Sequence, residues 1–163
     1  MALALRDGGE VDESLAAFLG VESLDAVIDP EELDENKGGA YYGNIGRCLH
    51  LMGQIDPAII CYRKSAILIE KDPSQEHVVN QGFARKWIGE LLLLKGEKCD
   101  AKLFLDAARR KWEQVSFHSV EELDRFIDGK GDDFAACPAV PQTDLERYCL
   151  AWIYGRDATY SIP

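Results

Sequence analysis

Gly53-Gln54-Ile55-Asp56-Pro57-Ala58-Ile59-Ile60-Cys61-Tyr62 is the middle one of three related stretches in this 163-residue chain. An upstream copy starts at Gly9 and reads Gly-Glu-Val-Asp-Glu-Ser-Leu-Ala-Ala-Phe, and a looser downstream copy starts at Gly96. The three leading glycines follow one another at intervals of 44 and 43 residues. A fixed interval of this size is typical of stacked supersecondary units that bury their apolar faces against each other. The sequence therefore predicts a repeat protein, and such scaffolds commonly bind partners.

An offset of 43 residues superimposes the second unit on the third, and the matched positions are small or apolar. They pair Gly39 with Gly82, Ile45-Gly46 with Ile88-Gly89, Leu49 with Leu92, Gly53 with Gly96, Ala58 with Ala101 and Ser65 with Ala108. Small residues are needed where two helix backbones approach closely, and larger ones where a groove has to be filled. Asp29-Pro30 and Asp72-Pro73 recur at the same offset, where proline ends the preceding helix.

Each unit predicts a pair of antiparallel helices. In the second unit, apolar residues at steps of three and four indicate a helix from Tyr41 to Met52, which ends at the glycine turn. Asp56 is then the expected N-cap of a second helix, with Pro57 at its first position. The third unit predicts one helix from about Val78 to Lys95 and another from about Asp100 to Trp112.

The two ends of the chain depart from this pattern. Only the last turn or two of a helix fit before Gly9, so we expect an incomplete first unit. Either the protein begins with this partial unit, or the chain is an excerpt of a longer array, which is the alternative that we favour. Past the third unit the period fades, and capping-box spacing at Ser119–Glu122 and Thr143–Glu146 predicts two further helices that close the stack. The expected organisation is repeats over residues 1–112, followed by capping helices and a tail over residues 113–163.

The charge of the chain restricts the kinds of partner that it can have. A formal net charge of −11 disfavours nucleic acid and anionic membranes, because both require a basic surface. Acidic side chains are concentrated in residues 1–37, whereas basic ones are in excess over residues 83–112, so a local positive face is compatible with the sequence. Neither an export leader nor a membrane-spanning apolar run is present, which favours a cytoplasmic location.

The cysteines are predicted to be reduced thiols. Their number, five, is odd, and their spacing fits neither a zinc site nor a redox motif. Cys48, Cys61 and Cys149 fall among apolar residues in predicted helices, where cysteine packs as a small hydrophobic residue.

The hairpins resemble tetratricopeptide repeats. The pattern of that family is carried by Tyr42, Ile45-Gly46, Leu49, Gly53, Ala58, Tyr62 and Ser65 in the second unit, and by Ile88-Gly89, Leu92, Gly96, Ala101, Leu105 and Ala108 in the third. Arg85 stands where the family has a large apolar residue, and the period exceeds the usual one of about 34 residues, as it does in kinesin-light-chain-like members. Over residues 1–112 the resemblance implies an all-α, right-handed α-solenoid of stacked antiparallel helix hairpins.

The same resemblance implies a concave groove that holds a peptide or a partner helix. The side chains expected to face this groove are Asn44, Arg47 and His50 from the second unit, and Lys86, Trp87 and Glu90 from the third. Hydrogen bonds and charge would hold the partner, with Trp87 as an apolar anchor. A carboxylate clamp is not expected, because Glu90 opposes it. The alternative is a solvated helix face for the charged residues and a core position for Trp87.

The sequence contains no phosphate-binding glycine loop, nucleophile elbow or paired-histidine metal motif. We therefore expect a scaffold without catalysis, metal or cofactor, whose partner is a protein or peptide. Two other functions remain open. One is a structural element that self-assembles into a homo-oligomer, and the other is a regulatory or interaction fragment of a larger multidomain protein.

Overall fold

The structure, a computed structural model, describes residues 10–19, 38–70 and 75–137. Within these ranges every regular element is a helix and there is no strand, which confirms the predicted all-α class. The helices are α1 (Val11–Leu19), α2 (Gly39–Leu51), α3 (Ile55–Ile69), α4 (Gln75–Leu94), α5 (Lys98–Gln114), α6 (Val120–Asp128) and α7 (Asp132–Ala135). The chain divides into an N-terminal unit, Met1–Leu68, and a C-terminal unit, Ile69–Pro163.

Both complete hairpins are closed by the same glycine turn. Gly53 and Gly96 have φ angles of +77° and +82°, in the left-handed region that glycine enters at little cost. In each turn the glycine N–H donates to the carbonyl three residues back at 3.0 Å, and the following N–H donates to the carbonyl five residues back at 2.9 Å. This pair of bonds satisfies the last carbonyls of α2 and of α4. Both predicted turn glycines are thereby confirmed.

The contacts inside the two hairpins also repeat at the predicted offset. A Cβ atom built on Gly46 of α2 would lie 2.8 Å from the ring of Tyr62 in α3, and one built on Gly89 of α4 would lie 2.8 Å from Leu105 in α5. Matched pairs that are equally buried are Ile45 with Ile88, Leu49 with Leu92, and Ala58 with Ala101. The glycines therefore stand where the two helices of each hairpin touch, as the small-residue pattern predicts.

The short helix α1 matches the second helix of a hairpin. Ser14 stands 44 residues before Ala58 and, like that alanine, is completely buried. Its N–H donates to the carbonyl of Glu10 at 3.0 Å. The thiol of Cys48 in α2 donates to the Ser14 hydroxyl at 3.6 Å, so α1 packs against α2. The predicted turn at Gly9 lies outside the described residues.

The helix ends differ from the predicted ones by up to three residues. α3 begins at Ile55, so Asp56 lies in its first turn and is not the N-cap. α4 begins at Gln75, before the expected start. Ser119 precedes α6 as expected, but its hydroxyl makes no capping hydrogen bond and lies 3.2 Å from Nδ1 of His118. The predicted capping hydrogen bond of Ser119 is therefore wrong, although the predicted helix is present. The second predicted capping helix lies outside the described residues.

The core of the C-terminal unit extends into α7, a single helical turn that the sequence pattern did not predict. Phe134 of α7 is only 4% exposed and joins a buried cluster with Leu105, Trp112 and Leu123. An aromatic side chain of this size buries enough apolar surface to hold so short a helix in place.

Two of the cysteines are paired, so the prediction of five reduced thiols is wrong for them. Cys99 at the start of α5 and Cys137 after α7 form a disulfide, with their Cα atoms 5.2 Å apart. Beside it, Lys98 and Asp133 form an ion pair at 2.8 Å. The disulfide and the ion pair thus tie the end of α7 to the start of α5.

Candidate partner-binding surface

Three of the predicted groove residues, Asn44, Arg47 and His50, lie on α2 at steps of three residues and are half-buried. Nδ1 of His50 is 3.0 Å from the hydroxyl of Tyr62 and 3.2 Å from the guanidinium of Arg47. A guanidinium can only donate hydrogen bonds, so Nδ1 is the acceptor of both bonds and the ring proton is on Nε2.

The environment of His50 keeps its ring neutral. Burial, and secondarily the charge of Arg47, lower the pKa of His50 to about 4. Since Tyr62 belongs to α3 and is completely buried, Nδ1 is engaged inside the hairpin. His50 can offer only its Nε2 edge to a partner, and the sequence pattern alone did not reveal this.

The other three predicted residues, Lys86, Trp87 and Glu90, lie on α4 in the C-terminal unit. Lys86 and Glu90 form an ion pair at 3.5 Å, one helical turn apart, and each side chain is about a quarter exposed. Trp87 is half-buried and its ring centroid lies 5.4 Å from that of Phe83. Trp87 therefore lies at the edge of the aromatic core, and its role as an anchor stays a prediction.

Lys86 and Glu90 line a cavity of about 170 Å³ in the C-terminal unit. Its walls come from α4, α5 and α6 and from the residue that precedes α6. The other lining residues are Phe83, Trp112, Ser119, Glu122, Leu123 and Phe126. The cavity thus joins two of the predicted groove residues to an apolar floor with a polar rim, which is the usual composition of a binding site.

The floor of the cavity is held by Trp112 of α5. Its Nε1–H donates to the carbonyl of Val79 at 2.9 Å, and its ring packs edge-on against Phe83 with centroids 4.9 Å apart. Gly82 lies directly against the indole, and a Cβ atom there would collide with the ring. Phe117 covers another side of the indole, with centroids 4.9 Å apart. These contacts fix one orientation for the ring, so the apolar floor is formed before any partner arrives.

The rim of the cavity is acidic on the α6 side. Glu122 lies in the first turn of α6 and is exposed, and it makes no ion pair within the described part of the chain. Phe126 is 39% exposed and has the ammonium of Lys130 at 5.0 Å from its ring centroid. The positive charge of Lys86, in contrast, is matched by the carboxylate of Glu90.

A partly buried ion-pair network occupies the position where Arg85 departs from the repeat pattern. Arg85, matched to the buried Tyr42 at the offset of 43, is 6% exposed and donates to Glu70 at 2.8 Å and to the carbonyl of Gln81 at 3.1 Å. Lys111 lies 3.4 Å from the same carboxylate. Burial raises the pKa of Glu70, but the charges and hydrogen bonds of Arg85 and Lys111 outweigh burial and lower it. Arg85 is therefore held inside the C-terminal unit by its own partners.

The chain was compared with models of known families, with curated proteins and with solved structures. No match was found in any of the three. The resemblance to tetratricopeptide repeats thus depends on the residues and on the hairpin geometry alone. In the described part of the chain, no group of three His, Cys, Asp or Glu side chains is placed to hold a metal ion, and none of the described helices is long and apolar enough to cross a membrane.

Part of this candidate surface consists of predicted residues, and the rest was not predicted. Lys86 and Glu90 were predicted because the resemblance to tetratricopeptide repeats implies that they face the groove. The aromatic floor was missed because Phe83 and Trp112 are 29 residues apart in sequence and only packing brings them together. One signal was present: Phe83, Lys86 and Glu90 follow at steps of three and four, so they lie on one side of α4.

Proposed function

We propose that this protein is a non-catalytic scaffold of tetratricopeptide type, a right-handed α-solenoid that binds a peptide or helix of a partner protein. The observation that carries the proposal is the cavity of the C-terminal unit, which has Lys86 and Glu90 on its wall. In this interpretation α4 is the first helix of the third unit, the kind of helix that lines the groove in that family, and α6 is the capping helix that follows the repeats.

The size of the cavity supports a side chain as its occupant. An apolar cavity of about 150 Å³ is large enough for benzene, so one of about 170 Å³ accommodates a single large apolar side chain. Interfaces commonly obtain most of their binding energy from one or two such buried anchors. Charged groups at the rim then orient the backbone of the partner.

The test is a selection of randomised nine-residue peptides displayed on phage, with the purified protein as bait. Peptides that bind are measured again on Phe126→Gln, which removes an exposed wall of the cavity, and on Leu94→Gln. Leu94 is 66% exposed and does not line the cavity, so it is the matched control. We expect binding to fall for Phe126→Gln and to persist for Leu94→Gln. Peptides that are indifferent to both changes would reject this surface as the binding site.

A second candidate function, self-assembly, is favoured by the positions of two exposed leucines. Leu51 at the end of α2 and Leu94 at the end of α4 are 48% and 66% exposed and are matched at the offset of 43 residues. Repeated exposed leucines are suited to contacts between copies. Multi-angle light scattering of the wild type and of a Leu51→Gln, Leu94→Gln double variant distinguishes the two functions. A monomer at all concentrations would remove self-assembly from consideration.

The predicted cytoplasmic location is in tension with the cysteine pairing. Disulfides persist in oxidising compartments and are rare in the cytosol, so the Cys99–Cys137 pair favours an oxidising setting. Mass spectrometry of the protein from its native source, alkylated before lysis, would decide between a linked and a free pair.

A further inference from the structure

We infer that the cavity of the C-terminal unit selects a segment that has one large apolar side chain directly beside a lysine or arginine. This inference rests on the proposed binding function and adds the chemistry of the partner. The apolar side chain fills the cavity over Trp112, and the neighbouring cation meets the carboxylate of Glu122.

The apolar walls of the cavity favour an apolar side chain as the occupant. Phe83, Trp112, Leu123 and Phe126 supply the apolar surface, and Trp112 and Leu123, each 1% exposed, form its floor. A polar side chain placed on this floor would lose its hydrogen bonds to water without replacing them, at a cost that an apolar side chain avoids. Aromatic walls favour an aromatic or branched aliphatic occupant, because rings pack well against both.

The charges that line the cavity favour a cation beside this apolar side chain. The charged lining residues are Lys86, Glu90 and Glu122. Lys86 and Glu90 neutralise each other at 3.5 Å, and this leaves Glu122 as the charge without a counterion in the described part of the chain. Lys130 lies on the ring of Phe126 and is not among the lining residues. A partner cation beside the anchor therefore gains an ion pair, whereas a partner carboxylate meets a like charge.

Glu122 lies in the first turn of α6, and acidic residues there stabilise the N-terminus of a helix. Helix stability alone would therefore explain why a glutamate stands at this position. Glu121 is the internal comparison for this explanation. It lies in the same turn and carries the same charge, but it does not line the cavity. A role limited to helix stability predicts equal effects of Glu121→Gln and Glu122→Gln, whereas the proposed contact predicts an effect of Glu122→Gln alone on the charge preference of binding.

The experiment uses the Phe126-dependent peptides from the phage selection. Each is synthesised with its lysine or arginine intact and with that residue changed to glutamate, and dissociation constants are measured by fluorescence anisotropy at low salt. We expect the selected peptides to contain Phe, Trp, Leu or Ile next to Lys or Arg. Changing Glu122 to Gln should weaken the basic peptides by a factor of about two to five, as for a single exposed ion pair, and Glu121→Gln should leave them unchanged. The reversed variant Glu122→Lys should bind the glutamate versions more tightly than the wild type does.

The outcomes separate the inference from the proposed function. If Phe126-dependent peptides are recovered without a bias toward Lys or Arg, or if Glu121→Gln and Glu122→Gln act equally, the inference is wrong and the binding function stands. If no peptide depends on Phe126, both are wrong. Circular dichroism and the urea midpoint of each variant establish that α6 is still folded.

Discussion

Valine substitutions at two glycines test the repeat packing at two equivalent places. Gly46 and Gly89 stand 43 residues apart, and a Cβ atom on either would lie 2.8 Å from a side chain of the opposite helix. The obstructing residues are Tyr62 and Leu105, both completely buried, so neither can move into solvent to make room. We expect Gly46→Val and Gly89→Val to destabilise the protein to a similar extent.

The expected magnitude combines two effects of opposite sign. Replacing glycine by valine inside a helix gains about 0.4 kcal/mol of helix propensity. Forcing extra methyl groups into a close-packed contact costs about 1–3 kcal/mol, and the backbone approach at these sites places valine at the upper end. The net loss in the free energy of unfolding is therefore about 2–3 kcal/mol for each variant.

The assay is urea unfolding followed by circular dichroism, with the midpoint compared at constant slope. Gly38→Ser is the control, because a Cβ atom at Gly38 meets nothing within 4 Å, its φ of −81° suits any residue, and serine suits this N-cap position about as well as glycine. The control should stay within about 0.5 kcal/mol of the wild type. Wild-type stability of both valine variants would refute the assigned helix contacts, and a loss in only one would refute their equivalence.

Three further predictions concern charge and covalent links. Arg85→Met should lower the free energy of unfolding by about 1–3 kcal/mol at pH 7 and should make the stability less sensitive to acid. The pKa of Glu70 is lowered in the folded state, so the stability that this carboxylate contributes is present above its ordinary pKa and is lost as the pH falls through its folded value. Urea midpoints at pH 7 and pH 3.5 measure both effects, and equal acid sensitivity of variant and wild type would contradict them. His50 should titrate near pH 4 by NMR, so that stability rises with pH between about 4 and 6.5; titration at the ordinary value would show that its ring is not held between α2 and α3. Changing Cys99 and Cys137 together to serine should cost about 4 kcal/mol in the chain-entropy model for a sequence separation of 38 residues, relative to the oxidised wild type. Unchanged stability, or two reactive thiols at these positions in the purified protein, would contradict this pairing.

Much of the fold was predictable because its determinants are local. A glycine with positive φ is needed wherever a helix must turn back sharply, so Gly53 and Gly96 reveal the turns by residue type alone. The period then identifies the helix contacts, since Gly46 and Gly89 must each face a partner helix. Helix starts were less accurate, because several residues can begin a helix and packing decides among them.

The features that the sequence did not reveal depend on contacts between distant residues. Arg85 breaks the apolar pattern, and the carboxylate of Glu70 and the carbonyl of Gln81 explain how a guanidinium is tolerated in a buried position. Phe134 directly follows a polar, glycine-containing loop, and its burial depends on a core supplied by α5 and α6. Cys99 and Cys137 give no spacing signal at a separation of 38 residues.

On the candidate surface, too, residues within one helix were predicted, whereas residues brought together from different helices were not. Lys86 and Glu90 were predicted because the resemblance to tetratricopeptide repeats assigns positions within a single helix. Glu122 and Phe126 were not, because their role depends on how α6 packs near α4, and a capping-box pattern indicates only where a helix begins. A site built from several helices therefore needs coordinates, even where each helix is predicted correctly.

The most direct test of partner binding in the C-terminal unit observes Trp112 itself. The protein is labelled with 5-fluorotryptophan, the Trp112 resonance is assigned with Trp87→Phe and Trp152→Phe variants, and a selected basic peptide is titrated while the fluorine spectrum is recorded. If an apolar side chain enters the cavity, the Trp112 resonance shifts with saturation at the same dissociation constant as the anisotropy, and the shift is lost in Phe126→Gln. Saturable binding of the peptide without any change at Trp112 would contradict this account.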